Sequence, residues 1–254
     1  MAFGPNNDLT RAWQRSQAEG RADAGEMDAG LRQYMLRVYN YMASGLLLTG
    51  IVAYGAVRIP AVLNLLYAQG PGGSIQPTML AYLVMFAPLA FIMVLSFGIN
   101  RMKASTAQTL FWVFAGVMGL SLTNIFLIYT GASIARVFFI TAAMFGSMSL
   151  YGYTTKRDLS KLGSFLMMGL IGIIIASIVN MFLQSSAMQF VISVIGVLVF
   201  VGLTAHDTQK IKLMYSEFDH SETASKKAVM GALSLYLDFL NLFMMLLYLF
   251  GDRR

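Results

Sequence analysis

The stretch VMGALSLYLDFLNLFMMLLYLF, from Val229 to Phe250, decides the fold. At ~1.5 Å of rise per residue, a helix of this length crosses the ~30 Å hydrocarbon core of a bilayer. Asp238 lies near its middle, where a carboxylate costs ~2.5 kcal/mol or more and therefore indicates a functional site. Ser234 and Asn241 lie one turn before and after Asp238, on the same helical face. We predict a membrane helix with one polar stripe (Ser234, Asp238 and Asn241) that faces protein or water rather than lipid.

The composition is that of a membrane protein. Of the 254 residues, 57% are hydrophobic and 12% are charged, whereas soluble domains are about 25% charged. The absence of cysteine excludes disulfides and thiolate-bound metals. The net charge of +6 is spread over short loops, which indicates membrane topology rather than nucleic-acid binding. The first apolar run begins only near Leu36, so we expect no cleaved signal peptide of the usual form.

The hydropathy pattern predicts an all-α integral membrane protein with seven transmembrane helices. Residues 1–30 are polar and predict a disordered cytoplasmic tail, and residues 31–254 form the predicted seven-helix membrane domain. The apolar segments cover residues 36–57, 78–99, 106–129, 134–153, 162–183, 187–207 and 229–250. Two pairs of small residues four apart predict sites of close helix packing: Ala142 with Gly146, and Gly172 with Ala176.

The distribution of lysine and arginine predicts the orientation. Fourteen of the eighteen basic residues fall in the N-terminal tail or in loops on the same side of the predicted helices. Because cytoplasmic loops are enriched in lysine and arginine, we predict a cytoplasmic N-terminus. Seven crossings then place the C-terminus outside. If the seventh helix failed to cross, both termini would be cytoplasmic.

Two of the twelve acidic residues lie within or at the end of an apolar segment, Asp238 and Asp207. No lysine or arginine lies near the centre of any segment, so Asp238 must be protonated, share a proton, or meet an ion or an arginine from a helix end. The alternatives to a functional role are that Asp238 is a neutral carboxyl hydrogen-bonded to a neighbouring helix and that Asp207 is an interfacial, solvated residue. The two can meet only if the sixth helix continues past Asp207, on a face shared with Ile211, Met214 and Phe218.

The sequence resembles the Bax inhibitor-1 family, and within it the bacterial branch. The most specific stretches are GLTAHDTQKIK (202–212) and LSLYLDFLNLF (233–243), which contain the two aspartates. AGLRQYMLRVYNYMA (29–43) and FFITAAMFGSMSLYGYTTKRDLSKLGS (138–164) are similar to bacterial members as well. The resemblance implies a fold in which six helices surround the seventh, and a location in the bacterial inner membrane.

The resemblance also implies a function, a pH-sensitive calcium leak channel or transporter. In the family, a carboxylate pair on the sixth and seventh helices shares a proton and senses pH. The corresponding calcium and proton pair here is Asp207 and Asp238, with Ser234 and Asn241 as supporting residues. The expected partners are the lipid bilayer, calcium ions and protons, with no resident cofactor and no nucleic acid.

Latched members of the family carry a basic residue at the cytoplasmic end of the second helix. In this chain that stretch reads FGINRMKAS. Asn100 occupies the matching position and Arg101 follows it. The sequence therefore departs from the family pattern at the latch position and not at the carboxylate pair.

Other functions are also open on the sequence. The cell-death and stress associations of the family imply a non-conducting membrane regulator that binds another membrane protein, such as a quality-control protease or a stress factor. Intramembrane aspartyl proteases also have two aspartates in membrane helices, but one of them stands in a Gly-x-Gly-Asp motif. In this chain Asp238 follows Leu-Tyr-Leu, so the sequence does not match these proteases. A retinal protein needs a lysine in the last helix, and none occurs after Lys227. We therefore predict that the protein is not an enzyme.

Overall fold

The computed structural model describes the backbone of residues 7–69 and 75–254, and the side chains of residues 29–68 and 76–254. Almost all of this backbone is helical. The helices are α1 (Asn7–Arg58), α2 (Pro60–Leu66), α3 (Met79–Gly98), α4 (Ala104–Ser121), α5 (Thr123–Ile128), α6 (Gly131–Thr154), α7 (Ser160–Leu183), α8 (Ser186–Leu213) and α9 (Ser221–Phe250). Two short strands, β1 (Tyr67–Gln69) and β2 (Ile75–Pro77), pair as an antiparallel hairpin between α2 and α3.

Seven candidate membrane spans occur in the described part of the chain, which confirms an all-α membrane protein. They are α1 from Ala29 onward, α3, α4 together with α5, α6, α7, α8 and α9. The predicted third segment is one span, but its helix is interrupted at Leu122. The last two helices are longer than their apolar segments: α8 ends at Leu213 and α9 begins at Ser221. Hydropathy reports only the part of a helix that lies in lipid, so it underestimates helices that extend into water.

The N-terminal segment is the part of the chain for which the sequence predicts a disordered cytoplasmic tail. Its backbone is helical from Asn7 and continues into the first span without a break. Alanine, glutamate, glutamine and arginine are frequent in this stretch and favour helix, although their polarity predicts disorder. Residues 1–6 of the predicted tail lie outside the described residues.

Helix α9 forms the centre of the bundle. Its Tyr236 is fully buried and meets the rings of Phe111 and Phe114 edge-on, at centroid distances of 5.9 and 5.3 Å. The Tyr236 hydroxyl also lies 2.6 Å from Thr49 Oγ1 on α1. Helices α1, α4, α6 and α8 pack directly on α9, whereas α3 packs mainly on α4, and α7 mainly on α8. Four of the six surrounding helices therefore contact the seventh directly, and the other two lie outside them, on the lipid side.

The two ends of α9 lie at opposite ends of the bundle. Near the start of the first span, which begins at Ala29, Arg37 donates a hydrogen bond to Ser225 Oγ in the first turns of α9 (3.3 Å). At the other end, Asp252 follows α9 and its carboxylate lies 3.5 Å from Arg136 in the first turns of α6. The backbone N–H of Asp252 donates to Ser133 Oγ (2.9 Å). Helix α9 therefore crosses the whole bundle, and the structure does not support a seventh helix that turns back.

Candidate functional site

The polar stripe of α9 faces α8. Near one end of the contact, a β-carbon added at Gly231 would come within 3.1 Å of Ile211 Cγ2. Near the other end, a β-carbon added at Gly196 would come within 2.7 Å of Met245 Sδ. The stripe lies between these contacts and is spaced from Gly231 and Met245 by steps of three and four residues. It therefore lies on the face of α9 that packs against α8.

The packing of α8 on α9 brings Asp207 and Asp238 together. The two contacts just described pair the antiparallel helices so that the aspartates are offset by about three residues, or roughly 5 Å along the axis. Side chains tilt toward the N-terminus of their helix, so in antiparallel helices each carboxylate leans toward the other. The pair on the sixth and seventh spans is therefore a neighbouring pair in the fold.

The meeting of the aspartates requires α8 to continue beyond Asp207, as we predicted. The helix extends to Leu213, and Ile211 is buried against α9. One part of the prediction is wrong: Phe218 is not on this face. It lies in the loop between α8 and α9 and is 87% exposed, because the helix ends at the positions around Met214.

Asp238 is the more deeply buried carboxylate. Only 6% of the residue is exposed, and its Oδ2 has no hydrogen-bond partner among the side chains and backbone that the structure describes. The side chain of Asp207 is 23% exposed, with His206 Nε2 3.9 Å from its Oδ1. A charged carboxylate without a donor is costly in this environment, so Asp238 needs a proton or a cation.

The other predicted site residues divide into two groups. Ser234 and Asn241 are partly buried on the stripe, beside the pair. Asn100 and Arg101, by contrast, are exposed in the turn after α3, where the Arg101 N–H bonds the Gly98 carbonyl (2.9 Å). Helix α3 packs mainly on α4, so the structure does not bring Asn100 or Arg101 to the carboxylates.

A chain of hydroxyl groups beside the pair was not predicted. The Tyr39 hydroxyl on α1 is hydrogen-bonded to Ser149 Oγ on α6. Ser149 Oγ lies 2.9 Å from Thr208 Oγ1, which donates to the Thr204 carbonyl (2.7 Å). Polar groups from α1, α6 and α8 therefore meet at Thr208, the residue after Asp207, on a neighbouring face of α8. These residues carry no charge and fit an apolar segment, so hydropathy gives no signal for them.

The motif around Asp207 has a second, structural role. Gln209 accepts a hydrogen bond from the Leu159 N–H and donates one to the Arg157 carbonyl, both at 2.8 Å. Lys212 donates to the Tyr153 carbonyl (2.8 Å). Gln209 and Lys212 therefore hydrogen-bond α8 to the end of α6 and to the loop between α6 and α7.

The pair can supply only part of a calcium site. Ca²⁺ takes six to eight oxygen ligands, including carboxylates, amide oxygens and water. No cluster of three or more histidines or acidic residues occurs in the part of the chain that the structure describes. Two carboxylates with the Asn241 amide and the Ser234 hydroxyl suit a partly hydrated ion. Such a ligand set favours weak and reversible binding over a permanent metal centre.

These features define a class, a seven-span membrane protein with a buried carboxylate on its central helix and a second carboxylate on the adjacent one. The sequence pattern of the family described as "Inhibitor of apoptosis-promoting Bax1" matches residues 31–254. The chain belongs to this family, the Bax inhibitor-1 family.

Bacterial relatives agree with this assignment. The inner membrane protein YbhL of Escherichia coli is 49% identical over 205 residues, which cover 80% of this chain and 84% of YbhL. The protein RP147 of Rickettsia prowazekii is 52% identical over 204 residues, which cover 80% and 83% of the two chains. A protein of Caulobacter vibrioides is 47% identical over 249 residues, which cover 98% and 99%.

Proposed function

We propose that the protein is a pH-sensitive calcium leak of the bacterial inner membrane, controlled by Asp207 and Asp238. The observation that carries the proposal is the buried Asp238 carboxylate, whose Oδ2 lacks a partner among the described residues and whose helix packs against α8 near the level of a second carboxylate. Two carboxylates this close cannot both ionise at low cost unless a cation joins them. Protons and calcium therefore compete for the pair.

The proposed gate is the contact between α8 and α9. With one proton shared, the pair is a hydrogen-bonded link between the helices. When that proton leaves, like-charge repulsion separates the carboxylates unless calcium, which prefers carboxylate oxygens, takes its place. Tight binding also slows the exit of an ion, so the direction in which flux changes with pH need not follow affinity.

The proposal is tested with the purified full chain in liposomes that contain a calcium-sensitive dye. We expect calcium entry above that of protein-free liposomes, with a rate that changes with pH when it is measured from about pH 6 to pH 8, because the two carboxylates titrate as one unit. Equal leak in both preparations at every pH would contradict conduction.

A second candidate function is a non-conducting regulator that binds another membrane protein. The observation that favours it is the packing of the external half of α9. Beyond Asn241, Leu242, Leu246 and Leu247 are buried, and an apolar cavity of only about 90 Å³ lies beside Phe243. A calcium path through this half requires the helices to separate. Absence of flux in liposomes would leave the regulator as the better assignment.

We propose a cytoplasmic N-terminus and an external C-terminus. The crossing of α9 places Asp252 at the end opposite to the basic loops, in support of this orientation. A phosphatase that is active only outside the cytoplasm should be active when it is fused after Arg254. A fluorescent protein that folds only in the cytoplasm should give no signal at the same position. A cytoplasmic signal from that fusion would overturn the orientation. A reporter fused before α1, as the control, should give the opposite result.

A further inference from the structure

A cleft separates α1 from α6 on one flank of the bundle. It has a volume of about 550 Å³, and its lining is mostly apolar, with Leu36 on α1 and Phe145 on α6. The hydrogen bond between Tyr39 and Ser149 spans it. A β-carbon added at Gly146, which also lines the cleft, would meet no atom within 4 Å, so the space beside this glycine is open.

One end of the cleft is basic. Arg32 lines it and is exposed, and Tyr153 lies at the same end in the last turn of α6. The Lys212 ammonium group lies 4.9 Å from the centre of the Tyr153 ring. This is the end of the bundle at which most of the basic residues lie. The cleft therefore combines a positive entrance with an apolar interior.

We propose that the cleft binds one anionic phospholipid from the leaflet at its basic end. The phosphate lies at Arg32, and one acyl chain runs along Leu36 into the space beside Gly146. From Arg32 to Tyr39 the cleft is about 10 Å deep at ~1.5 Å per residue, enough for the upper part of an acyl chain. At this depth the cleft opens to the hydrocarbon region of the membrane, so an acyl chain is the group available to fill it. Basic residues beside a membrane attract anionic headgroups, which favours an anionic lipid at Arg32.

The position of this lipid brings it to a hydrogen-bonded chain that ends at the residue after Asp207. Its acyl chain would touch Tyr39, the first group of the hydroxyl chain that continues through Ser149 to Thr208 on α8. The lipid site itself depends only on the cleft and its charge, so it stands whether or not the protein conducts calcium.

The test uses the full chain in phosphatidylcholine vesicles with a trace of phosphatidylglycerol that carries a photoreactive diazirine on its acyl chain. After illumination, peptide mass spectrometry locates the adducts. We expect them to concentrate on the peptides that contain Leu36 and Gly146, and unlabelled phosphatidylglycerol should compete better than phosphatidylcholine. Arg32→Gln should lower their yield about fivefold, the effect of one basic residue near an anionic membrane surface. Gly146→Leu should fill the cleft and remove them.

Two control variants match these changes. Arg101→Gln removes an exposed basic residue at the same end of the bundle. Gly172→Leu adds a large side chain at an exposed glycine on α7, where a β-carbon would meet no atom within 4 Å. Both should retain the wild-type adducts. Adducts spread evenly over all lipid-facing helices, equal competition by the two lipids, or yields unchanged by Arg32→Gln would overturn the proposal. A protein–protein crosslink in place of lipid adducts at the cleft would also overturn it and indicate a second copy as occupant.

Discussion

Asp238→Asn is expected to abolish the pH dependence of calcium flux. Asparagine has nearly the shape of a protonated aspartate but cannot ionise, so the α8–α9 link can no longer lose its proton. It also removes one of two carboxylate ligands from a site that has few others, and calcium affinity should fall by about tenfold or more. The measurements are calcium flux and calcium binding in liposomes, from about pH 6 to pH 8, for the wild type and the variant.

Two further variants show whether the pair acts as one unit. Asp207→Asn should have the same effect as Asp238→Asn, because either change leaves a single ionisable group. Glu222→Gln is the matched control, since Glu222 is exposed in the first turn of α9 and pairs with Lys226 (3.3 Å). It should keep the wild-type response. If both aspartate variants also keep it, the carboxylates are structural and the regulator becomes the better assignment.

Much of the functional helix pair could be predicted from the sequence because its signals are local. A charged residue in an apolar segment is conspicuous, and the three- and four-residue spacing of the polar stripe fixes a common face. The continuation of α8 beyond Asp207 was also predictable, since Ile211 keeps the apolar period. The meeting of Asp207 with Asp238 was an expectation from family resemblance, and the packing of Gly231 on Ile211 gives it a physical basis.

The packing positions could not be predicted because they depend on where two helices cross. Gly146 and Gly172 have the spacing typical of close helix contacts, yet both are open, and a β-carbon at either would meet nothing within 4 Å. The close contacts occur at glycines outside those pairs. At Gly119, for example, a β-carbon would come within 2.6 Å of the Thr49 carbonyl oxygen. A spacing identifies a face of one helix but does not identify the helix that approaches it.

Gly152→Ala is expected to destabilise the protein, because Gly152 is where α6 approaches α8 most closely among the described glycines. A β-carbon there would lie 2.9 Å from Ala205 Cα and would also clash with the Ala205 carbonyl oxygen. The obstacle is backbone, which cannot rotate aside, so the helices must separate. Overpacking of this kind costs about 1–3 kcal/mol. Separation would also stretch the Ser149–Thr208 hydrogen bond, one turn away on the same contact.

The measurement is the thermal unfolding of the purified protein in detergent, with Gly146→Ala as the control on the same helix. Because Gly146 is open, its replacement adds a residue with higher helix propensity and no clash, so the unfolding temperature should stay the same or rise. Gly152→Ala should lower it, and Gly152→Leu should prevent accumulation of folded protein. Equal unfolding temperatures for the two alanine variants would show that α6 and α8 can separate at no cost. In that case the contact between Gly152 and Ala205 does not fix the position of the part of α8 that carries Asp207 and Thr208.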